Sequence, residues 1–261
     1  MQQQAQPPYR PIDDIGVRLP RSLPDPDPTL RAAVHHQAGV SRGTAIIAAA
    51  QEVARDPSAE LRTVLALLKV LGFAHAQQTI DQVIADAPKV GCGAGCAHCC
   101  YQSVEVTIPE AILIALHLAD PSDPRRQRVL DAAAARRHMS RKRRRQLGRA
   151  CPLLVDKRCS VYEDRPLMCR SMLAVDGEQC GASLASVLAG GEETPIEQFV
   201  NAQYLVLGDQ AGMRGLCKDM GLQHDLVELT DAVAAILRDP TLVDRWIARQ
   251  RVFGADTIVD A

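Results

Sequence analysis

The chain has 261 residues, 47% of them hydrophobic and 23% charged, enough apolar material for one good core or two modest ones, which excludes disorder as its overall state. Its uncharged apolar runs, Ala45 to Ala50 and Ala111 to Leu116, stop far short of the roughly 18 to 20 residues a membrane span needs. The formal charge of −1 hides one strongly basic segment, and aromatic residues make up only 3%. Abundant alanine and leucine with so few bulky strand formers favour packed helices, so the expected fold is mainly α.

Residues 1–28 hold seven of the sixteen prolines, including "LPDPDP", and are expected to form a disordered tail. The start "MQQQAQPPYRPIDD" has no basic stretch leading into an apolar run, so no secretory signal is expected and the reducing cytoplasm is the expected compartment. Residues 29–88 read as an N-terminal helical region. After a cap and first-turn proline at Asp56 and Pro57, Leu61, Val64, Leu65, Leu68 and Leu71 follow helical spacing, resumed by Ile80, Val83 and Ile84. His75 lies among them, and a lone histidine on such a helix is an ordinary packing or surface residue.

"KVGCGAGCAHCCYQ" then places Cys92, Cys96, Cys99 and Cys100 within nine positions, and "SVEVTI" alternates like a short half-buried strand. Thr107, Pro109 and Glu110 form a capping-box pattern that opens the helix "EAILIALHLA", which "DPSDP" ends. From Arg125 to Arg149 there are eleven Lys or Arg and one acid, Asp131, so this segment carries plus ten. Its run Arg141 to Arg145 could grip a nucleic-acid backbone, but no aromatic platform or helix-turn-helix pattern accompanies it, so a solvated helix face is expected and no nucleic-acid partner. A positive helix could also offset thiolate charge inside the protein.

"CPLLVDKRCSVYEDRPLMCRSM" predicts a hairpin of Leu153 to Val155 and Cys159 to Tyr162, turning at Asp156 to Arg158. Pro166 suits a first helical turn and would set Cys169 near a helix N-terminus, where a thiolate is favoured. "ASLASVLAGGEE" reads as a helix ending at glycine, Thr194, Pro195 and Glu197 repeat the capping-box pattern, and Asp239 with Pro240 opens a last helix holding Trp246. No clear internal repeat is visible.

Thiols stay reduced in the cytosol, where tight clusters bind metal more often than they form disulfides. Glycines 91, 93 and 95 suit a loop that wraps an ion with inward-facing amides. Cys96 and Cys99 have the two-residue gap of a zinc knuckle or iron–sulfur loop. Adjacent Cys99 and Cys100 diverge, so they would serve different metal atoms, or only one of them would bind. Cys151, Cys159, Cys169 and Cys180 form a second four, so eight thiols could make two sites or one cluster with auxiliary cysteines. Cys217, alone in "RGLCKDM", reads as a core thiol, and His98 as a neighbour of the site rather than a ligand.

"CGAGCAHCC", "VEVTIPEA", "CPLL", "CSVYEDRPLMCR" and the later Cys180 occur in order, and together they resemble the bacterial cysteine-cluster family described as a zinc- or iron-chelating domain, the YkgJ family. The resemblance covers residues 89–183 and implies metal chelation by Cys92, Cys96, Cys99, Cys100, Cys151, Cys159, Cys169 and Cys180, with no settled reaction. A flagellin lysine N-methylase group resembles the same domain and is associated with an iron–sulfur cluster. The expected architecture is therefore mainly α with a small cysteine-rich metal-binding module, residues 89–183, containing one or two short β elements, followed by a C-terminal helical region, residues 184–261.

Three functions follow. The first is a metal-binding protein in which zinc or an iron–sulfur cluster organises the fold, with a protein partner left open and no membrane. The second is an iron–sulfur enzyme, methylase-like or radical S-adenosylmethionine-like, because Cys92, Cys96 and Cys99 have C-x3-C-x2-C spacing and "GGE" at Gly190 echoes a motif of the latter. That motif should follow a barrel strand, whereas here it follows a helix. The third is a nucleic-acid-binding zinc protein, resting on Arg141 to Arg145 alone. No catalytic residue is assigned.

Overall fold

The caps offered by the sequence set where several helices of the computed structural model begin. The structure describes residues 9–12, 17–20, 26–38, 40, 60–85, 87, 89–93, 95–137, 139, 149–254 and 257–258. Within the proline-rich segment, β1 (Tyr9–Ile12) and β2 (Val17–Pro20) pair antiparallel with Ile12 opposite Val17. Asp27 caps α1 (residues 28–38) by accepting the amides of Thr29 and Leu30, with Pro28 in the first turn. The cap expected at Asp56 and Pro57 lies outside the described residues.

α2 (Glu60–Leu67) passes through a π-helical stretch, Leu68–Ala74, into α3 (His75–Ile84). The wider turns re-phase the apolar stripe. Val64 and Leu68 before the stretch and Ala76 and Ile80 after it are all buried. α3 packs on the long α8 (Val200–Asp219). His75 has a partner there: its Nδ1 lies 3.0 Å from Asp209 Oδ1, and Gln37 Nε2 donates to the same oxygen at 3.0 Å.

β3 (Glu105–Thr107) is shorter than expected because Ile108 already begins α4 (Ile108–His117). The capping box is present, with the Thr107 hydroxyl accepting the Glu110 amide and the Glu110 carboxylate accepting the Thr107 amide. The partner of β3 is a strand the sequence did not announce, β6 (Leu226–Glu228), antiparallel with Val106 opposite Val227. Glu228 ends that strand and caps α9 (Leu229–Arg238) by accepting the Asp231 amide.

A short strand–cap–helix unit therefore occurs twice, with no repeat in the sequence: three strand residues, a side-chain cap satisfied at the third helical position, and a ten-residue helix. The caps differ, Thr107 with Glu110 against Glu228 with Asp231, so the likeness emerges only when the strands pair. α4 and α9 pack together, and α5 (Pro124–Arg136), capped by Asp123, packs on α9. Arg126 closes both units by donating to the carbonyls of Leu118 after α4, at 3.3 Å, and Leu237 at the end of α9, at 2.5 Å.

β4 (Leu154–Val155) and β5 (Arg158–Cys159) form the expected hairpin in shortened form. Asp156 and Lys157, at φ 48° and 60°, make a two-residue turn of the left-handed kind whose twist suits a hairpin. Tyr162, expected in the strand, instead opens a 3₁₀ turn, Tyr162–Asp164, and α6 (Leu167–Ser171) follows Pro166. α7 (Gly177–Leu188) ends, as expected, at a glycine, Gly190, with φ +86°.

The helix expected from Thr194 does not form, and α8 begins at Val200. The preceding residues are held extended instead: Val175 N–H donates to Glu197 O, Phe199 N–H to Leu173 O, and Thr194 N–H to Ser183 Oγ. Tertiary backbone bonds thus override the local cap pattern.

α10 (Thr241–Ile247) follows Asp239, whose carboxylate accepts the Thr241 amide. It buries Trp246 in the main core with Val106, Ile112, Val129, Val227 and Val233. Cys217 belongs to that core at 1% exposure, and burial pushes its thiol up to about 12. Among the described residues no helix is long and apolar enough to cross a membrane.

Candidate metal centre

The glycine loop is pressed onto the start of α7. Gly91 N–H donates to Ala174 O at 2.9 Å, and a Cβ on Gly91 would meet Gly177 N at 2.4 Å, a distance no side chain tolerates. Gly95 has φ +88°. Gly93, expected to matter equally, has open space around it. His98–Tyr101 forms a 3₁₀ turn, in which successive side chains point about 120° apart. Cys99 and Cys100, expected to diverge, nevertheless share a side-chain hydrogen bond.

The second group of cysteines returns to this turn. Cys151 N–H donates to Cys100 O at 2.7 Å, joining the loop to the hairpin segment. Cys159 ends β5, Cys169 sits in α6, and Cys180 lies in the first turn of α7. Cys169 is in electrostatic range of Cys151, Cys99 and Cys159, and Cys180 is in range of Cys92, Cys96 and Cys99. The eight expected cysteines thus share one region, and all nine in the chain are free thiols. Among the described residues, no three His, Cys, Asp or Glu side chains already stand as a metal-ligand group.

Burial raises the thiols of Cys92, Cys159, Cys169 and Cys180, and neighbouring cysteines raise them further. Burial also pushes Cys151 up to about 11. Cys99 is raised by its bond with Cys100 and then by burial. Backbone amides oppose this: Ala174 N–H donates to Cys92 Sγ at 3.2 Å, and the amides of Leu153 and Val161 serve Cys151 and Cys159, each two residues back. Such bonds favour thiolate. The donor set is therefore one of soft sulfurs, partly prepared for charge, whose mutual repulsion a thiophilic cation would relieve.

Arginines supply further positive charge. The Arg165 guanidinium lies over the Tyr162 ring at 4.5 Å and favours the thiolates of Cys99, Cys159 and Cys169. Its Nε is buried with no hydrogen-bond partner. A buried, unpaired N–H on a guanidinium in electrostatic range of three thiols fits an anionic metal–thiolate group. Arg170 is 7% exposed, donates to the carbonyls of Arg165 and Glu163, and lies over Phe73. Both arginines are thus turned into the protein.

Some arginines of the basic segment turn inward where it is described. Arg136, 4% exposed, donates to the carbonyls of Arg149 and Ala150 immediately before Cys151. Arg125 pairs with Asp123 and reaches Ser160 O, beside Cys159. Arg128 and Arg137 stay exposed, so the helix keeps a solvated face beside these contacts, in which carbonyls at element ends find donors. The run Arg141 to Arg145 lies outside the described residues.

One site residue escaped the sequence reading. Glu110, 1% exposed, accepts the Thr107 amide and hydroxyl on Oε2 at 2.7 and 2.8 Å. Its Oε1 accepts the Leu167 amide at 2.7 Å. The capping carboxylate of α4 therefore also holds the start of α6, the helix that carries Cys169. Burial pushes its pKa up, while these donors and Arg170 pull it down. Its pattern marked the first cap, and nothing local marked the second.

His98 sits over the next turn of α7, where a Cβ on Gly181 would come 3.3 Å from its Cε1. Residues 91–187 match the CxxCxxCC family model, described as "Putative zinc- or iron-chelating domain". Neither a curated protein nor a solved structure matches the chain. The matched span takes in all eight clustered cysteines and leaves out Cys217. Residues 91–187 are thus similar to the zinc- or iron-chelating domain of the CxxCxxCC family, a cysteine-rich stretch set inside a mainly helical chain.

Proposed function

We propose that the chain binds zinc or an iron–sulfur cluster through Cys92, Cys96, Cys99, Cys100, Cys151, Cys159, Cys169 and Cys180, and that the bound centre organises residues 89–183. The observation that carries this is the buried, unpartnered Nε–H of Arg165, whose guanidinium is in electrostatic range of Cys99, Cys159 and Cys169 from three separate segments. Four thiolates would leave either zinc or a four-iron cluster with net negative charge, which Arg165 and Arg136 are close enough to offset. Zinc would supply folding energy alone, and an iron–sulfur cluster could supply electron transfer as well. Reduced thiols in this number suit the cytoplasm.

Iron–sulfur enzyme chemistry is the second reading, and one observation favours it: Cys92, Cys96 and Cys99 line an open cleft. The "GGE" echo carries no weight, because Gly190 is the left-handed end of α7. Anaerobic purification with a visible spectrum and elemental analysis tests both. Brown protein with iron and sulfide selects the cluster, and colourless protein with zinc selects the ion. A chain that carries neither and takes up neither on addition would overturn the metal-binding reading.

A further inference from the structure

Among the described residues, side-chain hydrogen bonds join Cys92 to Cys96 and Cys99 to Cys100. The thiols of the glycine loop thus meet in pairs, while no three stand together as a metal-ligand group. Two touching sulfurs are the starting arrangement of a disulfide.

The two pairs differ in whether they can close. Adjacent Cα atoms lie about 3.8 Å apart, short of the roughly 4.4–6.8 Å that ordinary disulfides span, so Cys99 and Cys100 can share a hydrogen without reaching an unstrained S–S bond. Cys92 and Cys96 are free of that limit. Three residues separate them, two of them glycine. The chain between them turns back through Gly95, at φ +88°, and through Cys96 N–H donating to Gly93 O at 3.0 Å.

Their surroundings also single them out. The Cys92 sulfur is held from two sides, accepting Ala174 N–H at 3.2 Å and donating its own hydrogen to Met172 O at 3.8 Å. Phe199 N–H on Leu173 O and Gly91 N–H on Ala174 O fix segment 172–174 in turn. Cys92 and Cys96 both line the open cleft, which a small molecule can enter from solvent, and Cys100 does not line it. Cys99 and Cys180 line it too, with Cys180 in electrostatic range of Cys92 and Cys96, so they are the rival partners any test must separate.

We propose that Cys92 and Cys96 are a reversible dithiol, closed to a disulfide by a small-molecule disulfide that enters the cleft. One cysteine sulfur, having lost its proton to water, attacks a sulfur of the small disulfide and expels a small thiolate. The second cysteine, likewise deprotonated, attacks the resulting mixed disulfide at the protein sulfur and expels the other small thiolate. The two cysteine sulfurs are oxidised, the small disulfide is reduced to two thiols, and the two protons end on those thiols. Closure itself needs no metal. It removes two sulfurs from the set proposed above to hold one, so a bound ion would leave as the pair closes.

The test exposes the full chain as purified, its metal content measured, to rising oxidised glutathione under nitrogen, then alkylates the remaining thiols and maps them by mass spectrometry. The first product should be lighter by two hydrogens, carry no glutathione, and lack alkylation at Cys92 and Cys96 alone among the nine cysteines. Dithiothreitol should restore both thiols. Cys96→Ser should lose this product while keeping its helical circular dichroism, and the map of the parent chain gives the same answer without a variant. A lasting mixed disulfide with glutathione, a first disulfide at Cys99 and Cys100 or one that includes Cys180, or no loss of thiols would overturn the proposal. A chain that neither carries nor takes up metal, and still closes the pair, would overturn the metal-binding reading and support this one.

Discussion

Replacing Glu110 by glutamine keeps its volume and changes only the chemistry of one oxygen, so it isolates the double role of that carboxylate. Every partner of Glu110 donates to it: the Leu167 amide to Oε1, and the Thr107 amide and hydroxyl to Oε2. Whichever way a glutamine amide lies, its NH₂ faces a donor, and the buried amide of Leu167 or Thr107 loses its acceptor. A buried donor left unsatisfied costs about 1–3 kcal/mol, so Glu110→Gln should destabilise by about 2 kcal/mol. Glu110→Ala orphans both amides and should cost about 4 kcal/mol on the same scale. Against a typical total of about 5–15 kcal/mol, neither change is small. Urea denaturation in saturating zinc measures it; with m near about 2 kcal/mol/M, the glutamine variant should lower the midpoint by about 1 M. Hydrogen exchange should quicken at residues 167–171, where α6 loses its anchor. A glutamine variant within about 0.5 kcal/mol of the parent, with exchange in α6 unchanged, would refute the claim that this carboxylate joins the two segments.

Chelation of the metal should release the amides of residues 158–162 first, because a two-strand hairpin cannot stand alone, while β3 keeps its protection through β6 and the main core; equal protection with and without metal would reject the coupling. Arg165→Lys removes the buried Nε–H while keeping the charge, and competition against a chelator of known strength should show metal affinity weakened about 10- to 100-fold, the usual scale for residues that support metal ligands. His75 is raised above 6.5 by its hydrogen bond to Asp209 and by that charge, with burial opposing, so its contribution is complete below pH 6.5 and is lost as pH rises through the folded-state value. Denaturation at a series of pH values should show this decline in the parent and not in His75→Gln. Arg126→Ala should cost about 1–3 kcal/mol, since the terminal carbonyls of α4 and α9 lose a charged donor; a loss below about 0.5 kcal/mol in denaturation would mean water replaces the guanidinium there without penalty.

Much of this protein is written in signals that act over a few residues. The capping box at Thr107, the cap at Asp239, the helix end at Gly190 and the tight hairpin turn depend on neighbours within one turn of chain, so the sequence alone determines them. The cysteine loop is equally local, and its motif is similar to the family whose model matches residues 91–187. What the tertiary structure decided is which distant groups satisfy one another. Thr194 has the same cap pattern as Thr107, yet residues 173–175 claim its neighbours as an extended partner and the helix waits for Val200. The arginines of a basic helix look free in sequence and serve as donors to carbonyls around Cys151 and at the ends of α4 and α9. The second oxygen of Glu110 finds Leu167 only because the fold brings the start of α6 to the start of α4. A buried polar group must be paired wherever the chain happens to bring a partner, and that demand is set by packing rather than by neighbours in sequence.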